Sequence, residues 1–478
     1  MHVPRLVILI CCAAITVACD SRTPPPPPVL TPLGGGETIT GVERIGWDQR
    51  AGDAAELAAI GYVLYVDGNR ASLGDVTCGT ASTTSGFPCS GRLPTLAPGA
   101  HTLQIASTAT DGSVLESERS ASLNVTVVRQ VAGDVRPPEA VERSAPRITP
   151  GPILTTDGAR LHLELVADGL QRPTDLAFTP DGRMLVAERG GTVRILPRGP
   201  RHAGEPADAA TEPALSLAGT ASDATTLLAI AVDPQFERTR FVFALYAAPS
   251  RSGEPMFTLA RFRESGGTLA DRAVLLDGVR AGAPLPAGAL RFGPDGMLYA
   301  AFDDGGDPRS QHDRASLNGK VVRLNPDGTT PRDQAGGTPV YAEGYRAPAG
   351  VAWDLTRQPP ALWVADRDRE TATVRAVVAE GGLRAGETRG AVRDALALPP
   401  ASVPASVAFY NDALIPSLTG SLLIASAEGR HLLKIGGDRV TALLQDQVGA
   451  IGAVAIAPDG AIYFANASAV GRLLPDAP

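Results

Sequence analysis

The stretch LRFGPDGMLYAAFDD, Leu290 to Asp304, decides the fold. It holds a short apolar strand, a turn built on Pro294, Asp295 and Gly296, and a second apolar strand that ends in acids. Proline presets φ for the early turn position and glycine supplies the positive φ that closes it, so the phrase reads as a hairpin. Versions of it recur: LAFTPDGRMLVAER from Leu176, IAVDPQFERTRFVFALY from Ile230, VAWDLTRQPPALWVADRD from Val351, VAFYNDALIPSLTGSLLIASAEG from Val407 and VAIAPDGAIYFANAS from Val454. Six such phrases without helical patterning predict an all-β chain with a six-bladed β-propeller over residues 161–475. Inner strands of a propeller converge on an axis, so residues far apart in sequence share one pocket there.

Upstream the pattern changes. Residues 37–130 read as a small β-sandwich: ERIGWDQ carries a Trp-bearing strand, AIGYVLYVDGN a strand ending in a turn, and SASLNVTVV alternates apolar and polar residues. GYVLYVDG, LAPGAHTLQI and ESERS resemble a fibronectin type III or related immunoglobulin-like module, which spaces or binds rather than catalyses. Residues 131–160 are polar and proline-rich and read as a linker.

The N-terminus is a targeting segment. MHVPRLVILICCAAITVAC has Arg5 in a short first region and an apolar run from Leu6 to Val17 that is too short to span a bilayer. Ala18 followed by Cys19 resembles a lipobox, which implies a signal peptide over residues 1–18, cleavage before Cys19 and lipidation of that residue. An ordinary cleaved signal peptide is the alternative, and both readings export the protein. Asp20 resembles the signal that retains some lipoproteins at the inner membrane. The proline run within residues 19–36 favours extended polyproline II, a stiff spacer from the membrane. Beyond Cys11 and Cys12 in the signal and Cys19 at its end, Cys78 and Cys89 remain as one pair, expected as a disulfide in an oxidising compartment.

Of the 478 residues, 44% are apolar and 20% charged, and the net charge is −8. That balance supports a buried core and argues against nucleic acid as a partner. Lys320 and Lys434 are the two lysines of the whole chain, so a role that needs an ammonium has few candidates.

From about Leu161 to Leu474 the residues resemble the soluble quinoprotein glucose/sorbosone (aldose sugar) dehydrogenases. The matching text includes DGLQRPTDLAFTPDGRMLVAERGGTVRIL, SLNGKVVRLNPDGTTPRD and VYAEGYRAPAGVAW, in family order. The resemblance implies a six-bladed propeller that uses pyrroloquinoline quinone (PQQ) and calcium. In that family a histidine takes the sugar hydroxyl proton as hydride moves to the quinone, and cationic side chains hold the cofactor's carboxylates.

Residue by residue, the resemblance carries over unevenly. The family's histidine precedes the strand before FGPDG by a few small residues, and Leu285 stands at that place. Leucine has no titratable group. His312, in DDGGDPRSQHDR, is the one histidine in a loop expected near the pocket rim. GYRAPAG keeps the family's arginine as Arg346, but Ala347 replaces the asparagine after it. Glu428 stands where relatives often have a cofactor-binding lysine, and Gly452 and Ala453 stand in place of an Arg-Asp pair. Arg189 in VAERGG matches a family position. For calcium, Asp366, Asp368 and Glu370 in ADRDRETATV, together with Asp304 beside Asp303 and Asp307, offer hard oxygen ligands, although the family's Gly-Pro is missing. Interleaved Arg367 and Arg369 favour a solvated, salt-bridged loop there.

These losses favour a non-catalytic propeller that binds a sugar or protein ligand at its centre, anchored by lipid to the periplasmic face of a bacterial envelope. The alternative is a divergent PQQ-dependent aldose dehydrogenase, and a purely structural envelope protein is a third reading.

Overall fold

In the computed structural model of this chain the Pro-Asp-Gly phrases close alike. Gly182, Gly296 and Gly460 donate their N–H groups to the carbonyls of Thr179, Gly293 and Ala457 at 2.9 to 3.0 Å. All three adopt φ between +74° and +83°. Proline in the turn's second position and a left-handed glycine in its fourth make the three-residue hairpin loop whose twist suits the flanking strands. The structure describes residues 25–28, 37–39, 44–83, 85–109, 116–130, 132–133, 148–155, 158–197, 207–208, 212–217, 225–367, 372–381, 388–400, 402–437 and 439–476.

The chain divides into two compact units. The larger unit includes residues 124–478. Its described residues form six successive sheets, antiparallel through their first four strands, that begin with the strands Pro173–Phe178, Thr226–Val232, Gly288–Phe292, Pro348–Asp354, Pro404–Tyr410 and Ala453–Ile456. Each of these first strands packs beside the next, and the sixth packs beside the first, so they enclose an axis. Arg160–Asp168 supplies an outer strand of the sixth sheet, pairing antiparallel with Val470–Pro475 so that Leu163 faces Leu473. Joining the early strand to the last hairpin closes the ring and removes two open edges.

The end of the segment read as a sandwich and the start of the one read as a linker take part as well. Ala132–Gly133 runs parallel to the edge strand Arg439–Leu443, and Arg129–Gln130 runs parallel to the end of Thr388–Ala397. Core side chains fill the seams between sheets. Phe243, Phe257 and Phe302 are fully buried between the second and third sheets with Leu290 and Leu298, where truncating an aromatic ring typically costs about 3–5 kcal/mol.

The smaller unit includes residues 44–94 and 102–123. Arg44–Gln49, Phe87–Arg92 and Gly74–Cys78 form one antiparallel sheet, and Ile60–Val66 pairs with Leu103 to Ala109 and with Asn69–Ala71. Buried Trp47 meets Tyr62 edge-on, with ring centroids 4.8 Å apart. Cys78 and Cys89, opposite one another on paired strands, are joined as a disulfide.

Candidate axial binding site

The first strands line a channel with two mouths. Near the start of four of them the pairing register slips, between Pro173 and Asp175, Leu227 and Ala229, Pro348 and Gly350, and Pro404 and Ser406. A bulge re-aims the side chain it carries. The bulged residues Thr174, Leu228, Ala349 and Ala405 all line one cavity of about 140 Å³ at this upper mouth. At the lower mouth, where the strands end, Phe178, Val232, Phe292, Trp353, Phe409 and Ile456 surround a cavity of about 400 Å³. Between the mouths Asp175, 2% exposed, accepts from both Nη atoms of Arg291 at 2.7 and 2.8 Å and from the Ile230 N–H at 3.0 Å.

Charge is concentrated at the upper mouth. Arg189, Arg367 and Glu428 line the cavity with apolar or backbone-like neighbours, among them Pro286, Ala287, Gly288 and Gly452. Burial first, then the like charges of Arg172 and Arg367, pull the Arg189 guanidinium below its usual range. Burial lowers Arg367 as well, against the favourable fields of Asp366, Glu428 and Asp303. The Arg367 Nε is buried with no hydrogen-bond partner among the described residues.

The acids that end the second strands hold the loops above them. Glu188 accepts from the Gln171 N–H at 2.6 Å and pairs with Arg194 at 2.9 Å. Asp366, 1% exposed, accepts from the Ala347 N–H at 2.8 Å and the Arg346 N–H at 3.1 Å, and pairs with Arg375 at 3.3 Å. Asp303 accepts from the backbone of Gly282, Ala287 and Gly305 at 2.9 Å each. Burial nevertheless pushes Asp303 up to about 6. Asp304 accepts from the Gly306 N–H at 2.9 Å and from Gln311 Nε2 at 3.1 Å. Backbone donors converge on such carboxylates because an unpaired buried N–H is costly.

The residues singled out from sequence are distributed as follows. Leu285 stands on the loop held by Asp303, is 60% exposed, and leaves its neighbour Pro286 to line the cavity. Arg346 lies close enough to Arg367 to lower it by like charge but is not among the lining residues, and neither is Ala347. His312 is outside the cavity, beside Gly344 and within the fields of Glu343, Lys320 and Arg375, and burial lowers it. Lys320 is fully buried and donates to the carbonyls of Ser310, Gln311 and Asn318 at 2.7, 2.7 and 3.1 Å, fastening the turn that carries His312. Asp368, Glu370 and Cys19 lie outside the described residues. Among the described residues no three His, Cys, Asp or Glu side chains converge as a group able to hold a metal ion.

With this geometry in hand, the relatives can be placed. Residues 170–367 match the Glucose / Sorbosone dehydrogenase family. Aldose sugar dehydrogenase YliI of Escherichia coli is 24% identical over 360 residues, which cover 67% of this chain and 94% of that protein. A glucose dehydrogenase-like oxidoreductase from Thermus thermophilus superposes with a TM-score of 0.53 at 27% identity, over 66% of this chain and 100% of the other. The PQQ-bound form of aldose sugar dehydrogenase from Streptomyces coelicolor gives a TM-score of 0.51 at 23% identity, over 69% of this chain and 99% of the other. The larger unit therefore has the propeller-like fold of the glucose/sorbosone dehydrogenases.

The cofactor does not fit this upper mouth. PQQ is a planar tricycle with three carboxylates, and pockets for ligands of that size usually span about 300–1,000 Å³, well above the roughly 140 Å³ here. A Cβ at Gly452 would lie 2.8 Å from the Pro173 carbonyl oxygen, so this backbone has no room for an arginine there. Glu428 adds negative charge to the same wall. For calcium, Asp304 and Asp366 spend their oxygens on backbone and side-chain donors. Arg367, expected from sequence in a solvated, salt-bridged loop, is a lining residue instead. Its signal was present: VAER at residues 186–189 and VADR at residues 364–367 are the same phrase in the first and fourth sheets.

Proposed function

We propose that this chain is an exported, lipid-anchored protein whose six-bladed propeller binds a small ligand at the upper mouth without dehydrogenating it. One observation carries the reading: the loop at this mouth lines it with Pro286, Ala287 and Gly288, which cannot take a proton, and neither can the exposed Leu285 before them. A general base must stand within hydrogen-bond reach of the proton it removes; His312 lies outside the cavity lining, and Glu428, the carboxylate within it, does not dehydrogenate a hydroxyl without a hydride acceptor beside it. The cavity's volume supports a ligand smaller than a quinone cofactor. Cys19 would carry the lipid, the proline-rich residues 19–36 would act as the spacer, and residues 37–130 would be a sandwich module that presents the propeller at the periplasmic face of the envelope.

The reading is tested by titrating the purified protein with PQQ by calorimetry, with and without calcium, alongside dye reduction with a panel of aldoses. The expected result is no turnover with any aldose. Saturable PQQ binding accompanied by dye reduction would sink the proposal and revive the dehydrogenase alternative. Mass spectrometry of the mature N-terminus checks the anchor: a diacylated or triacylated Cys19 is expected, and an unmodified N-terminus beyond it would remove the lipid.

A further inference from the structure

Two copies of one phrase place like charges across the channel axis. Val186-Ala187-Glu188-Arg189 ends the second strand of the first sheet, and Val364-Ala365-Asp366-Arg367 ends that of the fourth. In a closed series of six these sheets lie opposite one another. In both copies the acid turns away from its neighbouring arginine. Glu188 serves Gln171, Thr192 and Arg194, and Asp366 serves Arg346, Ala347 and Arg375. Neither arginine forms an ion pair with the acid beside it. Among the described residues no ion pair or side-chain hydrogen bond engages Arg189 or Arg367, and the Arg367 Nε is buried without a partner.

We propose that the upper mouth is a binding site for a short monocarboxylate, gripped by Arg189 and Arg367, with Glu428 accepting a hydroxyl of the same molecule. The class follows from charge, shape and size. Planar guanidinium forks match a carboxylate with two parallel hydrogen bonds. Two arginines and one glutamate line the cavity, which leaves one positive charge for a monoanion and sets Glu428 against a dianion. The cavity of about 140 Å³ is below the range that usually holds drug-sized ligands and has room for an acid of two or three carbons. This inference rests on the small-ligand reading above and replaces the fused-ring tricarboxylate of the relatives' cofactor with a much smaller acid.

The test is calorimetric titration of the full-length protein with acetate, glycolate, lactate, inorganic phosphate and PQQ, each at constant ionic strength. Saturable one-to-one binding of glycolate and lactate is expected, tighter than acetate, with phosphate and PQQ not binding. Arg189→Met and Arg367→Met should each weaken glycolate by about tenfold or more, the usual worth of a hydrogen bond to a charged group, with melting temperatures unchanged or raised. Glu428→Gln should abolish the preference for glycolate over acetate while leaving acetate bound. Absence of saturable binding by all three acids overturns the inference, as does glycolate binding that survives both arginine substitutions, or a preference for phosphate. Failure of the acids without aldose turnover sinks this inference alone, whereas PQQ binding with turnover sinks the small-ligand reading beneath it.

Discussion

The two mouths of the channel differ in a way that volume alone would misrank. The lower one encloses about 400 Å³ and the upper about 140 Å³. Yet the lower aromatics are already engaged: Phe178 meets Tyr463 at 4.9 Å, Phe292 meets Phe243 at 5.2 Å and Trp353 meets Tyr299 at 4.9 Å between centroids. These edge-on contacts belong to the packing of the sheets, and the lower channel's charged group, Arg291, is committed to Asp175. The upper mouth is smaller, but Arg189 and Arg367 both line it while their adjacent acids are engaged elsewhere. Unspent charge, more than empty space, distinguishes the upper mouth from the lower.

The strongest way to break this contrast is to remove the ion pair that separates the mouths. Asp175→Ala leaves the Arg291 guanidinium without its carboxylate and is expected to cost about 3–5 kcal/mol, read by chemical denaturation. A loss below about 1 kcal/mol, the scale of an exposed pair, would mean that the two mouths are not held apart by this pair.

The upper end should also respond to acid. His431 is fully buried beside Ser402, and a Cβ on Gly429, next to Glu428, would lie 2.4 Å from its ring. Burial pulls His431 down to about 4, whereas an unfolded histidine protonates near 6.5. Between those values the unfolded chain binds more protons, so stability falls as pH drops from about 6.5 to 4, by up to about 3 kcal/mol. Melting curves of His431→Gln should be flatter across that range, and an unchanged slope would remove histidine from the account.

At the lower mouth, Trp353→Ala should cost about 1.5–3 kcal/mol of packing with glycolate affinity unchanged. Arg367→Met should do the reverse, lowering affinity with the melting temperature held or raised. A shared response of both properties in either variant would erase the division between the ends. The smallest effect is expected from Leu285→His. At 60% exposure the site tolerates the change within about 0.5 kcal/mol, and dye reduction should stay absent because the cavity remains too small for the quinone.

Much of the fold was legible because Pro-Asp-Gly chemistry is local. Thr179-Pro180-Asp181-Gly182 closes by a bond between residues three apart, and the alternation after it specifies which face is buried. The six recurrent phrases correspond to the first hairpins of six sheets. The disulfide between Cys78 and Cys89 was likewise within reach of cysteine counting. The site was less legible. Asp366 and Asp304 offer oxygens that suit a hard cation when read along the chain, and the fold commits those oxygens to backbone N–H groups. Arg367 read as one charge in a salt-bridged loop, and the fold sets it opposite Arg189.

Residue chemistry by itself determined the strands, the turns and the lack of a titratable group at Leu285, since each depends on neighbours within a few positions. Tertiary structure alone decided which charges stay unspent. Register slips turn Thr174, Leu228, Ala349 and Ala405 toward the axis, and ring closure brings together arginines 178 positions apart. Electrostatic pairing depends on distance through space, and only the closed ring of sheets sets those distances.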